Sequence, residues 1–180
     1  MFASNDDRQD NHWLLKNICW STAIAWVLAA ASAHAGSPAD VFAKVSPSIV
    51  VVQALDGNGK EIALGSGVAF AATKVVTNCH VVQGGDQLKV RSGPATYTAT
   101  LEFSDHERDL CQLTVPGGKL LPVRTRATAS LKQGERVVAI GTPLGFELTV
   151  SEGLLSAVRE RPAGRIVLQT TAPISPGSSG

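Results

Sequence analysis

At 180 residues, 44% of them hydrophobic and 17% charged, the chain has the length of one domain or two small ones and the composition of a folded globular protein. Sixteen Lys and Arg against fifteen Asp and Glu leave a net charge of +1. With no basic block and no aromatic residues interleaved with one, a nucleic-acid partner is not expected.

The first 35 residues read as a leader. An apolar run over 18–31 follows Lys16, and Ala33-His34-Ala35 before Gly36 fits the small-x-small cleavage pattern of a secretory signal peptide. The run is shorter than the roughly 20 apolar residues of a membrane span. Asp6, Asp7 and Asp10 make its flank less basic than usual, so an uncleaved anchor stays open, and membrane contact is expected only in that case. Cleavage after Ala35 removes Trp13, Trp20 and Trp26 and leaves Cys79, Cys111, His80 and His106 as the cysteines and histidines. Those spacings match no zinc pattern, and no metal or other cofactor is expected. The expected location is periplasmic or secreted.

Beyond the leader, Ser37 as N-cap, Pro38 at the first position and Val41, Phe42 and Val45 on one face predict a helix over 38–45, the only one expected. Short β-branched runs then recur over 48–55, 61–70, 74–78, 87–91, 97–103, 110–115, 136–140, 148–150, 154–158 and 166–170. Turn clusters separate them, among them Asp56-Gly57-Asn58-Gly59, Gly84-Gly85-Asp86, Ser92-Gly93-Pro94, Pro116-Gly117-Gly118 and Pro162-Ala163-Gly164. Many short strands with regular turns define an all-β chain, barrel or sandwich. Gly57-Asn58-Gly59 and Gly65-Ser66-Gly67 lack both the Gly-Lys-Ser/Thr sequence and the following helix of a phosphate loop, so hairpin turns are expected at both. Arg159, Arg161 and Arg165 flank the last turn and are expected at a solvated hairpin tip, with an acidic partner as the alternative.

The chemistry-bearing residues are spread over this framework. Pro176-Gly177-Ser178-Ser179-Gly180 sets a serine between glycines, with His80 and Asp109 upstream, and the order His, Asp, Ser is that of the chymotrypsin-type hydrolases. A serine hydroxyl is a weak nucleophile near neutral pH and needs a base that can later protonate the leaving amine, a task suited to imidazole. A carboxylate on the other ring nitrogen fixes the tautomer and stabilises the imidazolium. Backbone N–H groups beside glycines can meet the oxyanion. His106, in the polar turn 104–108, is the rival base and is expected to be solvated; Asp105 and Glu107 are the rival carboxylates. Asp109 directly precedes an apolar run, which suits a buried carboxylate at a strand start. A Gly-x-Ser-x-Gly elbow would place its Asp and His after the serine, and here they precede it.

The runs Gly65-Ser66-Gly67-Val68, Thr77-Asn78-Cys79-His80-Val81-Val82, Arg108-Asp109-Leu110-Cys111, Gly141-Thr142-Pro143-Leu144-Gly145 and 169–180 resemble the HtrA/DegP-type trypsin-like serine proteases, in that family's order. The resemblance implies a double β-barrel of the chymotrypsin type, with a linker near 121–130 separating a first barrel at 46–122 from a partial second barrel at 123–180, after an N-terminal segment at 36–45. It implies endopeptidase action on polypeptides through an acyl-enzyme, with His80, Asp109 and Ser179 as triad and the N–H groups of Gly177 and Ser179 as oxyanion hole. Ser178 takes the intervening position. Ile174, five before the nucleophile, falls where relatives line the primary pocket and would favour small or medium apolar side chains. An oligomer is compatible with the family. Relatives continue past the serine, so the chain is expected to be a truncated, inactive fragment, with a noncatalytic secreted binding protein of protease shape as the alternative. Where many relatives have alanines, this chain has Cys79 and Cys111. Their places beside His80 and Asp109, in an exported protein, imply a disulfide, with two buried free thiols as the alternative.

Overall fold

The computed structural model describes residues 36–142 and 148–174. Helix α1 (Pro38–Val45) opens on a capping box: the Ser37 hydroxyl accepts from the Asp40 N–H at 3.1 Å, and the Asp40 carboxylate accepts from the Ser37 N–H at 2.9 Å. Six strands follow: β1 (Ile49–Leu55), β2 (Glu61–Ala71), β3 (Lys74–Thr77), β4 (Gln87–Ser92), β5 (Ala95–Asp105) and β6 (Leu110–Thr114). All pair antiparallel and close into a barrel in the order β1-β2-β3-β6-β5-β4, with β4 returning to β1. Alternation decides which side chains fill it. Val50, Val52 and Ala54 of β1, Leu88 and Val90 of β4, and Cys111 and Leu113 of β6 are buried, while Gln53, Lys89 and Gln112 between them stay partly exposed. Each fully buried Val or Leu contributes about 1.5–3 kcal/mol.

The turn after β1 forms as expected. Asp56 Oδ1 accepts from the N–H groups of Asn58 and Lys60, both at 2.9 Å, and Gly59 takes φ +81°, a value that glycine adopts without a Cβ penalty. The expected turn at Gly65-Ser66-Gly67 is not one, because these residues lie inside β2. Glycine is required there for packing: a Cβ on Gly67 would sit 2.7 Å from Val75 Cγ1 and 2.8 Å from Val52 Cγ2, inside the barrel.

A second antiparallel sheet is built from β7 (Arg136–Gly141), β8 (Thr149–Arg161) and β9 (Arg165–Thr170) in that order. The runs expected as separate strands at 148–150 and 154–158 are one strand. Ser151, Glu152 and Gly153 stay in register opposite Ala139, Val138 and Val137, so the ladder passes through the expected break. Gly153 serves close approach rather than a turn, since a Cβ would lie 2.1 Å from the Ala172 nitrogen. Between β6 and β7 the chain first stays on the barrel, with Leu120 N–H bonded to Ala72 O and Val123 N–H to Ala69 O at 2.8 Å. Arg126 then closes the loop as a fork on Glu135, at 2.7 and 2.9 Å.

Barrel and sheet meet at a buried polar joint. The Ser66 hydroxyl accepts from the Thr142 N–H at 2.9 Å and lies 3.0 Å from the Thr142 hydroxyl, while Thr77 donates to Ser66 O at 2.7 Å. Satisfying these groups with one another removes the cost of burying them.

Candidate active site

The segment after β3 does not end as a strand. Residues 79–82 form one helical turn, α2 (Cys79–Val82), with Asn78 at its N-cap. This corrects the expectation of a single helix in the chain: a four-residue turn carries no 3.6-residue pattern to read. The turn aims the His80 ring toward the polar loop joining β5 to β6.

His80 and Asp109 meet there twice. His80 Nδ1 lies 2.6 Å from Asp109 Oδ2, and the His80 backbone N–H donates to Asp109 Oδ1 at 2.9 Å. The Asp109 carbonyl accepts from Asn78 Nδ2 at 2.8 Å and from the Cys79 N–H at 3.3 Å. Asp109 has φ +53°, a region that residues with a Cβ seldom occupy and that Asp and Asn tolerate best. The rival carboxylates point elsewhere. Asp105 takes the Arg108 N–H at 3.0 Å and the Arg108 guanidinium at 2.6 Å, and Glu107 lies 3.9 Å from Arg165. His106 is exposed.

Asp109 is not the buried carboxylate expected at a strand start: its side chain is 42% exposed, and that of His80 54%. Its position in a tight turn just before β6 lifts it clear of the barrel wall. Hydrogen bonds therefore govern its ionisation. The His80 backbone N–H, opposed by partial desolvation and then helped by the His80 ring, holds the carboxyl below its ordinary range. An ionised carboxylate beside Nδ1 fixes the proton on that nitrogen, leaving Nε2 as the acceptor face of the ring.

The two segments are also joined covalently. Cys79 and Cys111 form a disulfide with a Cα separation of 4.9 Å, both cysteines 2% exposed. The bridge extends the β3–β6 ladder, in which Thr77 faces Cys111. Alternation along β6 turns Cys111 into the core, and the helical turn carries Cys79 over it.

Downstream of β9, the chain runs on beside β8. Thr171 N–H bonds to Leu154 O at 3.0 Å, Leu154 N–H to Thr171 Oγ1 at 2.9 Å, and Ser151 Oγ to Pro173 O at 2.6 Å. Ile174 follows with 65% exposure. Gly177, Ser178 and Ser179 lie outside the described residues, as do the leader and Pro143-Leu144-Gly145. At the remaining arginines, Arg159 donates to Gln169 and Arg165 reaches Glu107 O at 3.5 Å, so this hairpin tip is tied to its neighbours as well as solvated. Among the described residues no three His, Cys, Asp or Glu side chains cluster to hold a metal.

A closed antiparallel barrel followed by a second antiparallel sheet is the architecture of the trypsin-like double barrel. Residues 65–180 match the trypsin-like peptidase domain family, and the chain belongs to it. It is 40% identical over 129 residues to a "Probable periplasmic serine endoprotease DegP-like" of Hahella chejuensis, covering 68% of this chain and 28% of that protein. It is 35% identical over 133 residues to the chloroplastic Protease Do-like 1 of Arabidopsis thaliana (67% and 30%), and 32% over 157 residues to Serine protease HTRA1B of Danio rerio (79% and 33%). These names place the resemblance within the HtrA type. The chain spans a third or less of the length of these relatives.

Proposed function

We propose that the chain carries the catalytic machinery of an HtrA-type serine endopeptidase acting on polypeptides. The observation that carries the reading is the double contact of His80 with Asp109, at 2.6 Å through the ring and 2.9 Å through the backbone. The family match extending through Gly177, Ser178 and Ser179 supports it.

In this reading Asp109 keeps the proton on His80 Nδ1, and Nε2 accepts the Ser179 hydroxyl proton as Oγ attacks the scissile carbonyl carbon. The carbonyl π pair moves onto oxygen, and the N–H groups of Gly177 and Ser179 donate to that oxyanion. Collapse expels the amine, which takes the proton from His80 Nε2, and an acyl-Ser179 ester remains. Water, deprotonated by the same nitrogen, hydrolyses the ester and restores the serine. Ile174 lines the primary pocket and selects small or medium apolar side chains. The first barrel occupies 46–122 and the second begins at 123. The segment 1–35 directs export and is removed after Ala35, in keeping with relatives named periplasmic.

The test is hydrolysis of an unfolded protein substrate by purified protein in which this chain is extended past Gly180 with the corresponding segment of a DegP-like relative. Ser179→Ala is expected to lower turnover by about a millionfold, with Ser178→Ala retaining activity. Activity surviving Ser179→Ala, or an inactive parent that binds peptides without cleaving them, would overturn the reading.

A further inference from the structure

We infer that Asn78 is a positioning residue for the His80–Asp109 pair, acting through the backbone of Asp109; the inference rests on the assignment of that pair in the proposed function. Asp109 is the non-glycine residue with positive φ among the described residues. A residue with a Cβ stays in that region only when its surroundings over-determine it. Here the carboxylate is held by two groups of His80, and the carbonyl by Asn78 Nδ2 at 2.8 Å and the Cys79 N–H at 3.3 Å. The side-chain amide of Asn78 thus makes the shorter of the two contacts that fix the peptide after Asp109.

The use of Asn78 is unusual for its place. An asparagine at a helix N-cap ordinarily accepts a hydrogen bond from the first turn of its own helix. Asn78 makes no such bond, and its amide donates across to the loop instead. The contact is separable from the fold. The Cys79–Cys111 bridge and the β3–β6 ladder keep the two segments adjacent without it. Loss of the amide leaves the peptide after Asp109 held by the longer Cys79 N–H contact at 3.3 Å. Relaxation of φ at Asp109 swings the carboxylate off Nδ1, and the imidazole loses its fixed tautomer while the barrel remains intact.

Two variants test this. Asn78→Leu keeps the size and removes the donor; Asn78→Ser keeps a good N-cap residue but is too short to reach Asp109 O, and serves if the leucine variant does not fold. The first readout is the downfield proton resonance of His80 Nδ1–H, identified by its loss in Asp109→Ala. It is expected to be lost or moved upfield in both Asn78 variants while thermal unfolding stays cooperative. The second is peptide hydrolysis: kcat/KM should fall about tenfold to a hundredfold, as small misplacements of reacting groups do, mostly through kcat, and should fall no further when Asn78→Leu is added to Asp109→Ala. An unchanged Nδ1–H resonance in a folded variant, or an equal fall in kcat/KM in both backgrounds, overturns the inference. If the parent shows no Ser179-dependent hydrolysis, the functional reading fails, and the resonance alone decides whether Asn78 holds the pair.

Discussion

Replacing Cys79 and Cys111 together by alanine removes a covalent link while leaving the surrounding ladder in place. The bridge joins residues 32 apart in sequence, so its loss returns loop-closure entropy to the unfolded chain. With that span the chain-entropy relation gives about 12 cal/mol/K, or about 3.7 kcal/mol near room temperature. Both cysteines are 2% exposed, so truncating them also leaves small voids in the core, and the entropic figure is the lower part of the expected loss. For a domain of this size, each kcal/mol lowers Tm by about 2–4 °C, giving a drop of about 7–15 °C. The assay is guanidinium and thermal unfolding of oxidised parent and double variant, with thiols counted on denatured, unreduced protein cleaved after Ala35. Site geometry should survive, because Asn78, the Cys79 N–H and the β3–β6 pairing still hold the Asp109 turn against α2. A stability difference under about 1 kcal/mol, well below the loop-closure value, would refute the reasoning. So would two free thiols at Cys79 and Cys111 in exported parent protein.

Gly153→Ala should separate β8 from the segment leading to Ile174, since the new Cβ would lie 2.1 Å from the Ala172 nitrogen and 2.6 Å from its Cα; a loss of at least about 1–3 kcal/mol, with reduced reactivity of Ser179 toward a fluorophosphonate, is the expected result. Ser66→Ala leaves the buried Thr142 N–H without its acceptor and should cost about 1–3 kcal/mol in urea unfolding. Glu102 accepts from Lys74, Thr114 and Gln112, which lower its pKa from 4.5 to about 2. Because the folded value lies below the unfolded one, its contribution is fully present above about pH 4.5 and is lost as pH falls toward 2. Glu102→Gln should therefore flatten the dependence of Tm on pH across that window and leave the curve above pH 6 parallel to that of the parent.

The barrel was legible because its strands alternate and its turns are marked. Asp56-Gly57-Asn58-Gly59 can hardly be other than a tight turn, and Cys111 and Leu113 announce the inner face of β6 by spacing alone. Glycines misled where they serve packing rather than turning. Gly67 makes room for Val75 and Val52, yet Gly65-Ser66-Gly67 reads as a turn; Gly153 likewise makes room for the backbone of Ala172, where the runs 148–150 and 154–158 read as separate strands. Helix α2 escaped because one turn has no period, although Asn78 just before Cys79 was a capping signal. His80 and Asp109 were legible as residue types in a family order. The left-handed conformation of Asp109, its exposure and the cross-link from Asn78 were not, since they depend on how two distant segments meet. One local trace existed: an aspartate closing the polar run from Asp105 to Asp109 between two strands is among the residues that best accept positive φ.

The most direct test of the central claim is to map a fluorophosphonate adduct by mass spectrometry on protein carrying this chain, alongside its His80→Ala and Asp109→Asn variants. A functioning triad predicts a single adduct on Ser179, with labelling abolished in His80→Ala and slowed by orders of magnitude in Asp109→Asn. An adduct on Ser178, or labelling of Ser179 at the same rate in all three proteins, would contradict the assignment.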